Sequence, residues 1–129
     1  MNIHTDFLPR NKHDFERVHK LKRIERTELL PLLPGLMEWI QDMNWPIAEE
    51  VAELLLAFAN EITPLIKDVL TTDDDIWKYW CLQILVKRLP HEVKKSFEED
   101  LIRLVERPTA GEKAEALDET AIEILETIK

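Results

Sequence analysis

The stretch from Asp73 to Leu89 carries its apolar residues on two helical stripes rather than one. Trp77, Trp80, Cys81 and Ile84 form the first, and Tyr79, Leu82, Val86 and Leu89 form the second. A surface helix needs only one apolar stripe, so a helix apolar over most of its circumference has to be covered on several sides. The segment therefore calls for other helices packed around it. Asp73 or Asp74 can cap its start, and Pro90 ends it.

The rest of the chain supplies helices and little else. Only two glycines, Gly35 and Gly111, occur in 129 residues, which argues against many tight hairpins and against a phosphate-cradling glycine loop. Most β-favouring residues also fall into helix-period patterns, so the expected fold class is all-α. The length suits a single domain, residues 1–129, able to bury a core without metal or disulfides. The lone cysteine, Cys81, rules out an internal disulfide framework and reads as a buried small apolar side chain.

Residues 1–12 read as an N-terminal arm, with Phe7, Leu8 and Pro9 as an anchor folding back onto the body. From Asp14, a suitable cap, the spacing Phe15, Val18, Leu21 predicts a helix with a basic outer face of Arg17, Lys20, Lys22 and Arg23. Pro31 and Pro34 interrupt the next segment, leaving a short helical turn and then a fresh helix with Leu33, Leu36, Met37, Ile40 and Met43 inward and Trp39 beside them. Pro46 suits the first position of the helix after that, with Asn44 as its cap and Ile47, Val51, Leu55 and Phe58 inward. Ala48, Ala52 and Ala59 make a slimmer stripe there, and Thr63-Pro64 opens a further short helix. Beyond Pro90 one helix is expected from Val93 to Glu106, then a break over Pro108–Gly111 and a last helix from near Asp118. These divide the chain into hairpins over 13–43, 44–72 and 73–107, with a C-terminal capping helix within 112–129.

A shift of about 29 residues lays the segment from Asn44 onto that from Asp73. Ile47 then meets Ile76, Ala48 meets Trp77, Ala52 meets Cys81, Leu55 meets Ile84 and Leu56 meets Leu85. A weaker third copy begins at Asp118. Such a pattern implies stacked two-helix hairpins, each too thin to bury its apolar face alone. The order Asp73/Asp75, Trp77, Lys78, Cys81 resembles HEAT-like repeats, in which an acidic turn precedes an apolar, a basic and then a small residue. The copy at Asn44 departs from it, with Glu49 in the basic position. The resemblance implies a short right-handed α-α superhelix of about three stacked hairpins.

Over nearly its whole length the sequence also resembles an uncharacterised bacterial family, domain of unknown function 5071. The resemblance rests on Pro9-Arg10-Asn11-Lys12 before Asp14-Phe15, on Leu33-Pro34, and on the block from Glu38 to Pro46. Asp74 to Trp80, Pro108-Thr109 and Glu112-Lys113 complete it. It implies a small helical-repeat fold and brings no activity or ligand with it.

Residues suited to chemistry are scarce. The triplet Asp73-Asp74-Asp75 lacks the converging ligands and glycine of a calcium loop and reads as a helix cap favoured by the helix dipole. His4, His13, His19 and His91 include no pair at metal-binding spacing, and no C-x-x-C occurs, so no metal or cofactor is expected. Ser96, the sole serine, has no G-x-S-x-G elbow, and no catalytic residue is assigned. The first residues show no basic region before an apolar run, and no window reaches a membrane span, so a cytoplasmic protein without membrane contact is expected.

Charge narrows the partner. The net charge is −9, spread as +2 over residues 1–28, −7 over 29–93 and −4 over 94–129. Such a surface repels phosphate backbones and favours a basic protein or peptide over nucleic acid. The function expected is therefore a small protein–protein interaction module, of adaptor or immunity type, without catalysis. The alternative is a HEAT-like nucleic-acid-processing enzyme such as a DNA glycosylase, in which tryptophans stack on bases; it needs a basic channel. The tryptophans Trp39, Trp45, Trp77 and Trp80 read chiefly as packing between hairpins. The partner-binding or inter-repeat surface is expected at Asp42, Asn44, Trp45, Asp74, Asp75, Lys78 and Tyr79, with Lys78 the one charge among apolar neighbours.

Overall fold

Prolines and short polar breaks cut the apolar pattern into many short pieces, and the computed structural model, which describes residues 7–129, has no strand among the described residues. The fold is all-α. Helices α1 (Phe15–Leu21), α2 (Arg26–Leu29) and α3 (Leu33–Met37) lead into α4 (Ala48–Leu56) and α5 (Ala59–Leu70). Then come α6 (Asp75–Trp80), α7 (His91–Lys95), α8 (Glu98–Glu106), α9 (Ala110–Ala114) and α10 (Leu117–Thr127). No helix among the described residues is long and apolar enough to cross a membrane.

The segment after Asp73 is indeed enclosed. Helix α6 runs on through a π turn (Cys81–Leu85) into a 3-10 turn (Val86–Arg88), making one rod. The rod meets α4 and α5 along one part of its surface and α10 along another, while α10 lies against α8. Cys81, Leu82, Leu85, Val86 and Leu89 are buried in a single core that extends from Val18 to Ile128.

The π turn alters the internal repeat. Ala52 and Cys81 are both buried, as the shift pairs them, but Leu55 is buried where Ile84 is only half-buried. Leu85, one residue later, takes the buried position instead. A π turn inserts one extra residue into the helix and moves every later side chain along by one position. At the start of the pair the match also fails, since Ile47 is buried and Ile76 is 54% exposed.

Several helix boundaries differ from the expected ones. Asn44 does not cap α4; its N–H donates to Asp42 Oδ1 at 2.8 Å, and the chain turns through Trp45 before helix begins at Ala48. Thr63-Pro64 opens nothing, because α5 runs straight through it. Burial of Ile62, Ile66, Val69 and Leu70 on one face holds the helix, while the ring of Pro64 sits on the exposed side. The expected helix 93–106 is broken at Ser96-Phe97, where the Phe97 ring turns fully inward. Ala110 and Gly111, expected at the end of a break, instead open α9, and Ala116 at φ 57° makes the corner into α10.

Of the expected anchor in the N-terminal arm, Leu8 and Pro9 pack onto the body whereas Phe7 stays 38% exposed. Asp14 caps α1 by accepting from the Arg17 N–H at 3.3 Å. It also accepts from Arg10 Nε at 2.8 Å, and the Arg10 guanidinium holds its carboxyl well below the usual carboxylate range. Pro9 is buried, and Leu8 lies so close over Gly35 that a Cβ there would come within 2.8 Å of Leu8 Cδ1. Residues 1–6 of the arm, His4 included, lie outside the described residues.

Proline within α5 leaves the Asn60 carbonyl without its usual helical donor, at an intrinsic cost of up to ~3 kcal/mol relative to alanine. Pro64→Ala is therefore expected to stabilise the fold by about 1–2 kcal/mol once the freer unfolded chain is allowed for, read from the midpoint of urea unfolding.

Candidate functional site

Helix α6 starts where Asp74 accepts from the Trp77 N–H at 3.0 Å. That cap places Asp75 and Lys78 three residues apart on one face, pointing toward α8 and α9. The Lys78 side chain is buried, with 3% of the residue exposed. Its Nζ lies 2.8 Å from Asp75 Oδ1 and 2.9 Å from Glu112 Oε2.

Glu112 is the hub. It sits in the first turn of α9, in a capping box with Thr109: the Thr109 N–H donates to Glu112 Oε1 at 2.8 Å, and the Glu112 N–H to Thr109 Oγ1 at 3.1 Å. Arg103 of α8 grips the same carboxylate with both ends of its guanidinium, Nη1 to Oε1 at 3.0 Å and Nη2 to Oε2 at 2.7 Å. With 1% of its surface exposed, Glu112 thus keeps both oxygens paired. Arg103, helped by the Thr109 N–H and Lys78 and opposed by burial, holds its carboxyl down to about 2. Burial alone would push Lys78 toward its neutral form, but Asp75 and Glu112 outweigh it and keep the ammonium above its ordinary range. Gly111 completes the arrangement, because a Cβ at that position would collide with Asp75 Oδ2.

The network forms one wall of a cleft of about 410 Å³. Four acids, Asp73, Asp75, Asp100 and Glu112, line it against two bases, Lys78 and Arg103. The C-terminal end of α5, from Leu70 to Thr72, closes another side and turns the negative end of a 12-residue helix dipole toward it. Asp100 is held from behind by Lys67 at 2.7 Å. Among the described residues no group of three or more His, Cys, Asp or Glu side chains could hold a metal ion.

The residues expected from sequence to share one surface fall into two groups. Asp75 and Lys78 stand in the cleft wall, with Asp74 exposed as the cap beside them. Tyr79 lies edge-on against Trp80, centroids 5.0 Å apart, half-buried and outside the cleft lining. Asp42, Asn44 and Trp45 belong to the turn before α4, where Trp45 meets Trp39 edge to face at 5.4 Å. No hydrogen bond or ion pair among the described residues joins that turn to the Lys78 network. Sequence reasoning missed Glu112, Arg103 and Thr109. The pattern Thr109-x-x-Glu112 is a legible capping box, masked by the Pro108 and Gly111 that flank and interrupt it. Arg103 carries no comparable signal. Cys81 is buried as expected, and burial pushes its thiol far above the usual range.

The chain belongs to the family described as "Domain of unknown function (DUF5071)", whose model matches residues 7–125. No curated protein matches it.

Because the native state depresses Glu112, its contribution is fully present above the ordinary value of 4.5 and is lost as pH falls through about 2. Glu112→Gln should cost about 3 kcal/mol at pH 7 and should flatten the fall in stability between those limits, followed by urea unfolding at a series of pH values. Gly111→Ala should destabilise by about 1–3 kcal/mol, and by clearly less when Asp75→Ala has removed the colliding carboxylate.

Proposed function

We propose that this chain is a small protein-interaction module whose acidic cleft, between α5, α6, α8 and α9, receives a basic side chain of a partner protein. The observation that carries this reading is the excess of acids in the cleft lining, four carboxylates against two bases with Lys67 offsetting Asp100 from outside it, and the negative end of α5 facing in. Lys78 is engaged with Asp75 and Glu112, Arg103 with Glu112 and Lys67 with Asp100, so the exposed Asp73 is the carboxylate an incoming cation meets first. A guanidinium or ammonium group gains there, whereas a phosphate backbone is repelled. The acidic chain as a whole, at −9, would steer a basic partner toward it. Neutralisation of a basic toxin in the cytoplasm is one concrete form of this role.

The state of the groups also favours binding over catalysis. Glu112, held down to about 2 with both oxygens occupied, is a poor proton acceptor near neutrality. Lys78 stays protonated, and Cys81 is a buried thiol away from the cleft lining.

The reading is checked by titrating ¹⁵N-labelled protein with a short Arg-Gly repeat peptide. Amide shifts should cluster at Asp73, Asp100 and Thr109 and shrink as salt rises. Asp73→Lys, an exposed reversal that spares the fold, should weaken binding by about tenfold. Shifts scattered over the surface, or an equal response to a Glu-Gly peptide, would overturn it.

A further inference from the structure

The tryptophans divide by what their indole N–H groups do. Trp77 Nε1 donates to the Met37 carbonyl at 3.2 Å and so ties α6 to α3. Trp39 and Trp45 instead stand edge to face, planes at 71°, and among the described residues neither indole N–H is paired or left as a buried orphan. Both line a groove of about 300 Å³ together with Leu8, Pro9 and Gly35.

The groove wall itself includes an X-Pro step. Leu8-Pro9 is seated at the groove's edge, with Leu8 against the bare Cα of Gly35, Pro9 buried, and the Leu8 carbonyl accepting from Arg17 Nη1 at 3.0 Å. An X-Pro step is thus held by close aliphatic contact and one donor to its carbonyl. In the rest of the lining Trp39 and Trp45 supply aromatic surface, and among the described residues their indole N–H groups are unpaired. A polyproline II segment is stiff, carries flat pyrrolidine rings, and exposes carbonyls with no internal hydrogen bonds. It therefore matches aromatic walls that donate, at a low ordering cost. At the rim stand Gln41 and Glu38, and Glu38 is exposed with no ion pair among the described residues.

We propose that the groove beside Trp39 and Trp45 is a second docking site, for an extended proline-containing segment of another protein with a Lys or Arg next to the prolines to meet Glu38. It is separate from the acidic cleft and does not depend on it.

The full chain, ¹⁵N-labelled, is titrated with the capped peptide Leu-Pro-Pro-Leu-Pro-Arg. The Trp39 and Trp45 indole N–H resonances and the amides of residues 35–45 should move saturably, while the Trp77 indole and Asp73 stay in place. Replacing the peptide's prolines by alanine should weaken binding at least about tenfold, and Glu38→Lys, on an exposed side chain, should do the same. Trp45→Ala should abolish the response. Its thermal unfolding is measured alongside, and the Glu38 variant keeps the test decisive if that protein fails to fold. The proposal falls if the peptide moves none of these resonances at millimolar concentration, or if the alanine peptide binds as well. It falls equally if a soluble oligosaccharide moves them in the peptide's place, or if the shifts track protein concentration alone, which would mark contact between copies of this chain.

Discussion

An ammonium group in a protein interior has to be met by opposite charge and hydrogen bonds or it gives up its proton. Lys78 imposes that condition on this fold. It sits on the central rod, and its two partners come from different places: Asp75 from its own helix and Glu112 from α9. Glu112 in turn takes Arg103 from α8 and the Thr109 N–H. One charge therefore draws three helices together at fixed distances, and the capping box of a five-residue helix becomes part of the same structure. A helix that short has little stability of its own, so tertiary pairing is what keeps it in place.

The rod accommodates these demands by changing its pitch. Before Cys81 it presents Lys78 to α8 and α9; after the π turn it presents Leu85 and Val86 to the core. Without the extra residue, Ile84 would take the buried place that Leu85 holds. The rod thus turns a paired charge inward before the π turn and apolar side chains after it, and the π turn joins the two registers. The result is a site wall made of side chains that cannot shift independently, which suits recognition by shape and charge.

The two proposed docking sites use different physics. The cleft offers an excess of negative charge fixed by a buried network, so its selectivity would be electrostatic and salt-sensitive. The tryptophan groove offers apolar faces and donors, so its selectivity would come from the stiffness and shape of the bound segment. A module with both could read a partner that is basic and proline-bearing at once, and the gain from engaging the two sites together would exceed either alone.

Much of the fold was legible from residues alone. Helical periodicity is a local property, so the all-α class, the enclosed segment after Asp73, the Asp14 and Asp74 caps and the buried Cys81 could be read without coordinates. Boundaries were less legible, because burial overrode local signals: Pro64 is carried inside α5 by the apolar face beneath it, and Phe97 breaks a continuous pattern by turning into the core. Lys78 could be singled out as a charge among apolar neighbours, with an acid needed beside it. That the acid would be Glu112, 34 residues away, could not be read. Nor could the place of Arg103, the room that Gly111 leaves for Asp75, or the one-residue shift at the π turn. Sequence determined which faces had to be hidden and which charge had to be answered. Tertiary structure alone decided which distant residue answered it, because pairing depends on how helices cross in space rather than on spacing along one of them.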